Sequence, residues 1–256
     1  MNPNVILVFS AHAADFCSRA GGTLAKYVRK GDKVHVTDLT YGERGESSAY
    51  WATNRDGCIE DAKRQREKEA KRAAKILGVS IDFLDFDDYP LIIDRSRIQI
   101  LAQRIQDIRP SIVLTHWGYD PFNPDHAETS KAVIRAISCA TKLGFAPNTE
   151  PIALPEVFFF EPSIPITEFN QFSPDLYINI TDTFKAKSEA LECFTSQPFL
   201  QEWYTRYALQ RAHQARTWSG KEIKFAEGFK RYTPYVGELL PIIEWKERDD
   251  LQEDGK

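Results

Sequence analysis

Short apolar runs alternate with longer segments of helical periodicity along the first half of the chain, and this alternation limits the possible folds more than any other feature. The apolar runs lie at residues 5–9, 34–39, 81–84 and 112–115, and helical spacing falls at 24–28, 60–77 and 95–108. The first run is apolar throughout, which is typical of a strand buried on both faces. Strands that alternate with helices favour a parallel sheet between two helical layers. The sequence therefore predicts an α/β fold that is Rossmann-like, with a mostly parallel sheet and helices on both faces.

The second half of the chain continues with strands and a long helical segment. Strands are predicted at 157–160 and 176–180, and residues 184–214 are predicted to be largely helical with an interruption at Pro198. No Ser/Pro-rich or Gly-rich linker divides the 256 residues, of which 42% are hydrophobic. A chain of this length can build one large core. We expect a single domain over residues 1–246 and a charged, frayed tail at 247–256.

Composition excludes several classes of partner. A formal net charge of −4 leaves no basic footprint for a nucleic-acid backbone. No apolar run approaches the length of a membrane span, and the first residues lack the features of a secretory signal. Cysteines that are far apart and form no CxxC pair fit reduced thiols; they are Cys17, Cys58, Cys139 and Cys193. We therefore expect a cytoplasmic protein with neither nucleic acid nor membrane as a partner.

Polar and titratable side chains follow three of the predicted strands. Ligands of an open parallel sheet bind beyond the carboxyl ends of its strands, so these positions are the candidate site. The candidates are His12 and Asp15 after the first strand, Glu43, Arg44 and Glu46 after the second, and His116, Asp120, Asn123, Asp125 and His126 after the fourth. We expect the three loops to converge on one rim of the sheet.

Two imidazoles and a carboxylate among these candidates could bind a divalent metal. Three such ligands, on His12, Asp15 and His126, with a position left open for water or substrate, are typical of a catalytic zinc site. Zinc is the first choice, and another divalent metal stays open. Spacing alone also allows an alternative, in which His12 and Asp15 cap a helix and His126 satisfies a loop.

These motifs resemble those of the LmbE-like (PIG-L) family of zinc-dependent N-deacetylases. The resemblance rests on Ala11-His12-x-x-Asp15 followed by Gly21-Gly22-Thr23, and on Pro124-Asp125-His126. It implies the LmbE-like fold. By position, it also implies that His12, Asp15 and His126 are the metal ligands.

Two catalytic positions of that family are replaced in this chain. The family's first motif usually reads Ala-His-Pro-Asp-Asp-Glu, and its first aspartate is the general base that activates water; Ala14 stands there. A histidine that helps to stabilise the oxyanion is replaced by Asn123. General-base assistance contributes a factor of about 10² to 10⁴, and alanine cannot supply it. Ordinary deacetylation is therefore weakened as a hypothesis.

Further motifs resemble one branch of the family, typified by 4-oxalomesaconate hydratase of bacterial gallate degradation. The branch shares the Ser-Ala-His-x-Ala-Asp-Phe form of residues 10–16, and the similarity continues through 42–47, 87–91, 204–211 and 226–228. It implies a zinc-dependent hydratase, a hydro-lyase that adds water to an unsaturated oxo-di- or tricarboxylate in aromatic-acid catabolism. One position departs from the branch, which continues Glu-Pro-His where this chain has Glu161-Pro162-Ser163. Serine does not titrate near neutral pH, so the substrate or the second acid-base group could differ.

The resemblance and the chemistry of hydration together predict the remaining roles. Glu46 is the predicted proton-transfer residue, and Asn123 and Asp125 complete the predicted catalytic set. Arginines could bind the substrate carboxylates, and the candidates are Arg44, which ranks first, Arg19, Arg206 and Arg211. In the alternative interpretation, the loop of Glu43, Arg44 and Glu46 is solvated and the arginines are structural. His116 and His213 are conceivable acid-base groups, although a structural role is favoured for both.

Three functions stay open at this point. The leading hypothesis is the zinc-dependent hydratase. The others are a zinc-dependent N-deacetylase of an N-acetyl amino sugar or related amide, and a non-catalytic binding protein that kept the metal site. We expect a small anionic substrate and assembly into a homo-oligomer.

Overall fold

A seven-stranded sheet runs through the centre of the computed structural model, which describes residues 3–145 and 150–239. The strands are β1 (Val5–Ser10), β2 (Lys33–Asp38), β3 (Ser80–Phe83), β4 (Ile112–His116), β5 (Glu156–Phe160), β6 (Leu176–Asn179) and β7 (Ala226–Arg231). The helices are α1 (Asp15–Arg29), α2 (Ser48–Thr53), α3 (Ile59–Leu77), α4 (Arg95–Ile108), α5 (Pro124–Ala140), α6 (Thr167–Asn170), α7 (Phe184–Leu191) and α8 (Leu200–Ser219).

The sheet is mostly parallel. Its strand order is β3-β2-β1-β4-β5-β7-β6. Strands β1 to β5 pair in parallel, and β7 pairs antiparallel with both β5 and β6. The predicted α/β class with a mostly parallel sheet is confirmed.

Strand β1 shows why the apolar run predicts two helical layers. Its side chains alternate between the two faces of the sheet, as they do in any strand. Ile6 and Val8 pack into the core beneath α1, α3 and α7, whereas Leu7 and Phe9 pack into the core beneath α4 and α5. All four side chains are fully buried. Helices therefore cover both faces of the sheet, as predicted.

The predicted helical segment after residue 184 consists of α7 and α8, which are separated around Pro198 as expected. Strand β7 has no counterpart in the prediction. The expected single domain over 1–246 stays a prediction, and the tail at 247–256 lies outside the described residues. Within 3–145 and 150–239, no helix is both long and apolar enough to cross a membrane.

Helix α1 is fixed against β7 by a buried carboxylate. Glu227 accepts hydrogen bonds from the backbone N–H groups of Gly22 at 3.0 Å and Thr23 at 2.8 Å, and from the Lys187 ammonium at 2.6 Å. At Gly22, a Cβ atom would lie 2.7 Å from Cδ1 of Ile180. The glycine therefore allows a close approach that holds α1 in place. This helix begins at Asp15, a predicted metal ligand.

Candidate active site

The loops after β1, β2 and β4 meet at one rim of the sheet. Four side chains there each offer a ligand atom, and these atoms all lie within 4.8 Å of one another; the side chains are His12, Asp15, Glu46 and His126. His12 follows β1 and Asp15 begins α1, while His126 lies in the first turn of α5. The structure thus brings the three predicted ligands together and adds Glu46 from the loop after β2.

Both histidines of this group present a free ring nitrogen to it. Nδ1 of His12 and Nε2 of His126 are buried and have no hydrogen-bond partner among the described residues. The other ring nitrogen of each faces a carboxylate: Nε2 of His12 lies 3.4 Å from Asp125, and Nδ1 of His126 lies 2.9 Å from Asp120. A carboxylate behind a histidine is typical of metal ligands, because it fixes the ring and its tautomer. The donor set fits a divalent metal.

The Asp15 carboxylate is held from several sides. Oδ2 accepts the backbone N–H of His12 at 2.9 Å, Oδ1 lies 3.2 Å from Nε of Arg19, and Oδ1 also lies 3.5 Å from Nε2 of His126. Burial favours the neutral acid, but His126 and the contact with His12 outweigh it and hold the pKa of Asp15 well below its usual range. Asp15 is therefore ionised at neutral pH and available as an anionic ligand.

Glu46 belongs to the ligand group and also lines the neighbouring pocket. Oε1 lies 3.3 Å from Nδ1 of His12 and accepts a hydrogen bond from Nδ2 of Asn123 at 3.0 Å. Burial opposes ionisation, but His12 and then His126 outweigh it and lower the pKa of Glu46 to about 2. Glu46 is therefore a carboxylate that can accept a proton or a metal bond.

Behind Glu46 lies a fully buried arginine that the sequence analysis did not single out as a site residue. Nη2 of Arg66 lies 3.8 Å from Oε2 of Glu46, and its Nε donates to the Tyr41 carbonyl at 2.9 Å. The signal was present in the sequence, because Arg66 lies on the helical face of the buried residues Ala62 and Ala70. An arginine on the apolar face of a helix needs a buried partner.

His116 supports the site from beneath. Its Nε2 accepts the backbone N–H of Ala11 at 2.9 Å and lies 3.3 Å from Asp15, and its ring stacks on His126 at 4.1 Å. Burial and then His126 lower the pKa of His116 to about 3, so the ring is neutral at physiological pH. His213 is exposed on α8. These placements agree with a structural role for His116.

A pocket of about 210 Å³ opens beside the ligand group. Its lining combines polar and aromatic side chains, among them Asp15, Arg19, Glu46, Tyr89, Asn123, Ser163, Gln197, Trp203 and Tyr204. Ala14 lines it too, so the position that holds the general base in the family motif faces this space. Asp125 is absent from the lining. Its carboxylate instead contacts His12 and accepts the backbone N–H groups of Tyr89 and Leu91, both at 2.9 Å.

One of the four predicted substrate-binding arginines, Arg19, lies on the pocket wall. The guanidinium of Arg44 is partly exposed and pairs with acids that include Asp87 at 3.3 Å and Asp88 at 3.5 Å. Arg206 is exposed on α8 and pairs with Glu202. Arg211 is buried against Glu161 at 2.8 Å in a neighbouring small cavity. Their acidic neighbours thus turn three of the arginines away from this pocket.

Ser163 is bound to the carboxylate behind His126. Its backbone N–H donates to Oδ2 of Asp120 at 2.7 Å, and its hydroxyl donates to the same oxygen at 2.9 Å. Burial raises the pKa of Asp120, but His126 and Arg19 outweigh it and hold that pKa below its usual range. Ser163 therefore helps to hold Asp120, the carboxylate that faces His126.

Comparison with known proteins identifies the family. The family model described as PIG-L, GlcNAc-PI de-N-acetylase, matches residues 7–137. A 4-oxalmesaconate hydratase from Pseudomonas putida KT2440 is 39% identical over 240 residues, which cover 91% of each chain. This chain belongs to the PIG-L family.

Solved structures agree with the PIG-L assignment. The crystal structure of GalB, the 4-carboxy-2-hydroxymuconate hydratase from P. putida KT2440, superposes with a TM-score of 0.88 at 37% identity and covers 93% of this chain and 100% of its own. N,N'-diacetylchitobiose deacetylase from Pyrococcus horikoshii shares the fold of this chain, with a TM-score of 0.76 at 20% identity over 90% of this chain and 84% of its own. The predicted family resemblance is confirmed, and the relatives at the higher identity are the hydratases.

Proposed function

We propose that this chain is a zinc-dependent hydratase that adds water to the conjugated double bond of an unsaturated oxo-di- or tricarboxylate, as in aromatic-acid catabolism. The observation that carries the proposal is the composition of the rim. The His-Asp-His donor set is complete, while Ala14 lines the pocket in the place of the deacetylase base. Replacement of the base by Ala14 and of the oxyanion histidine by Asn123, with the donor set retained, fits a different reaction on the same metal scaffold. The similarity to hydratases over nine-tenths of the chain supports this interpretation.

The residues that would hold zinc are His12, Asp15 and His126, with Glu46 close enough to join them. Bound there, the ion would polarise a substrate carbonyl and promote ionisation of water. The protein's part is to fix the donors. Asp125 and Asp120 orient the two imidazoles, and Arg19 holds Asp15.

Glu46 is the proton-transfer residue of the proposed reaction. Hydration joins the oxygen of water to the carbon β to the carbonyl and a proton to the α carbon, without oxidation or reduction. Glu46 is ionised and can take the proton released by water at Oε1 and then pass it to the α carbon, which closes the proton balance, while Arg66 and Gln197 face Oε2. Arg19 supplies positive charge on the pocket wall for a substrate carboxylate.

N-deacetylation is the second candidate, because Glu46 places a carboxylate beside the donor set although Ala14 cannot act as a base. An N-acetyl amino sugar is the substrate of this alternative. Cytoplasmic location and homo-oligomeric assembly stay predictions of the sequence.

A comparison of substrate classes tests the proposal. Zinc-loaded protein is incubated with unsaturated oxo-di- and tricarboxylates, and separately with N-acetyl amino sugars. We expect loss of the conjugated absorbance of the oxo acids and no release of acetate from the sugars. Acetate release without turnover of any oxo acid would support the deacetylase, and stoichiometric binding without turnover in both classes would support a non-catalytic protein.

A further inference from the structure

One tyrosine of the pocket has a hydroxyl with no assigned role. Tyr89 lies between β3 and α4, lines the pocket with Asp15 and Glu46, and is 40% exposed. Its hydroxyl makes no hydrogen bond to any residue in the described ranges. Two other donors on the wall are engaged, since Ser163 donates to Asp120 and Arg19 donates to Asp15.

The backbone of Tyr89 is held in an unfavourable conformation. Its φ angle is +44°, in the left-handed region that bulky side chains rarely adopt. The Asp125 carboxylate accepts the N–H groups of Tyr89 and Leu91, one on each oxygen, at 2.9 Å. Conformations of this kind persist where surrounding contacts determine them, and they are concentrated at functional sites.

The ring of Tyr89 packs against a histidine of the ligand group and against a glycine. It stacks over His12 with the ring centroids 5.8 Å apart and the planes inclined by 29°. On another side it rests on Gly45, where an added Cβ would fall well inside van der Waals contact with three ring atoms. The φ of Gly45 is not positive. Glycine is therefore needed there for space, and the space is filled by the ring of Tyr89.

We propose that Tyr89 is a substrate-contacting residue, whose hydroxyl donates a hydrogen bond to an oxygen of the bound oxo acid and stabilises the negative charge that develops there as water adds. This inference rests on the proposed hydratase function. A phenol has an ordinary pKa of about 10 and is a neutral donor at physiological pH. The same pocket is lined by the carboxylates of Asp15 and Glu46, which can accept hydrogen bonds from a substrate but, when ionised, cannot donate them.

The substitution Tyr89→Phe tests the hydroxyl, because it removes the donor and keeps the ring that packs on His12 and Gly45. We expect kcat/KM for oxo-acid hydration to fall by about 10- to 10³-fold, mainly through kcat, as for other donors to a developing oxyanion. Zinc bound per chain and the unfolding temperature should not change. Tyr232→Phe is the matched control, since that exposed tyrosine packs on Phe159 outside the pocket, and it should keep the wild-type rate.

Gly45→Ala supplies an independent test, because it changes the surface on which the Tyr89 ring packs. The new methyl group must displace Tyr89, so we expect a loss of kcat similar to that of Tyr89→Phe. In the Tyr89→Phe background the same change should add little, because the hydroxyl is already gone. Gly144→Ala, which has no atom within 4 Å of its new Cβ, is the control.

The outcomes separate this inference from the function on which it rests. Wild-type hydration together with a Tyr89→Phe rate within about twofold of it would overturn the role of Tyr89 and leave the hydratase intact. A loss of bound zinc that accompanies the loss of rate would also overturn it, in favour of a structural role. Wild-type protein that hydrates no unsaturated oxo acid would overturn both.

Discussion

Asp125 connects a histidine of the metal-ligand group to the loop that carries the pocket tyrosine. Its Oδ2 lies 3.4 Å from Nε2 of His12 and accepts the N–H of Tyr89 at 2.9 Å. One carboxylate therefore fixes both the orientation of the imidazole and the position of the pocket wall. Asp125 was predicted to be catalytic, and the structure places it where it can position His12 and Tyr89.

Asp125→Asn should weaken metal binding. The substitution removes the negative charge behind His12, and losing such a partner commonly lowers metal affinity by about 10- to 100-fold. A competition titration with a chelating dye measures the effect. Asp87→Asn, which alters an exposed carboxylate that pairs with Arg44, is the control. An unchanged metal Kd in Asp125→Asn would show that His12 needs no partner.

Gly22→Ala should destabilise the protein. Replacing glycine in a helix with alanine can add about 0.4 to 1 kcal/mol through the entropy of the unfolded chain. The new Cβ would lie 2.7 to 2.9 Å from three atoms of Ile180, and overpacking of this kind costs about 1 to 3 kcal/mol. The clash outweighs the gain, so urea denaturation should show a lower free energy of unfolding. Stabilisation by Gly22→Ala would contradict the close packing of α1 described above.

Glu227→Gln should destabilise the fold more than loss of the whole ion pair. The side chains of Glu227 and Lys187 are 3% and 2% exposed, so the single change leaves a buried ammonium without its counter-ion. Breaking one side of a buried pair typically costs about 3 to 5 kcal/mol. The double variant Glu227→Gln/Lys187→Met removes the stranded charge and should recover part of that loss in denaturant titrations. A double variant less stable than Glu227→Gln would refute the explanation by an unpaired charge.

Metal-free protein should lose stability between about pH 6.5 and 4.5 through His116. Burial and His126 lower its pKa from 6.5 to about 3, so in this range the unfolded chain binds a proton that the folded chain does not. Stability from a neutral buried histidine is complete above the unfolded pKa and declines as pH falls, by at most about 1.4 kcal/mol per pH unit for one proton. Denaturation curves across this range should be less steep with pH in His116→Gln. An equal pH dependence in both proteins would exclude His116 as the cause.

The convergence of the predicted metal ligands could be predicted because it follows from sheet topology. His12 and His126 come after β1 and β4, which are neighbours in the sheet, and the carboxyl ends of parallel strands share one edge. Glu46 joins the ligand group in the structure, where the loop after β2 brings its carboxylate to 3.8 Å from Arg66 of α3. This tertiary contact between Glu46 and Arg66 cannot be predicted from the order of residues in the sequence.

Strand β7 and the directions of the arginines also depend on tertiary partners. Residues 226–231 include a glycine and charged side chains without clear alternation, and the strand forms between β5 and β6 while Glu227 binds α1. Arg44 turns to Asp87 and Asp88, and Arg211 turns to Glu161. Acidic or buried partners nearby determine the orientation of a long charged side chain. The periodicity of the sequence gives no information about which partner that is.

Titration of metal-free protein with Zn²⁺ decides whether hydration depends on the metal site. The hydration of an unsaturated oxo-tricarboxylate is followed by the loss of its conjugated absorbance. We expect no turnover without metal and a rate that rises to a break at one ion per chain, with His12→Ala inactive at the same zinc concentration. A hydration rate that is the same in metal-free and zinc-loaded protein would show that the metal has no part in the reaction, and the absence of hydration at full zinc occupancy would rule out the hydratase.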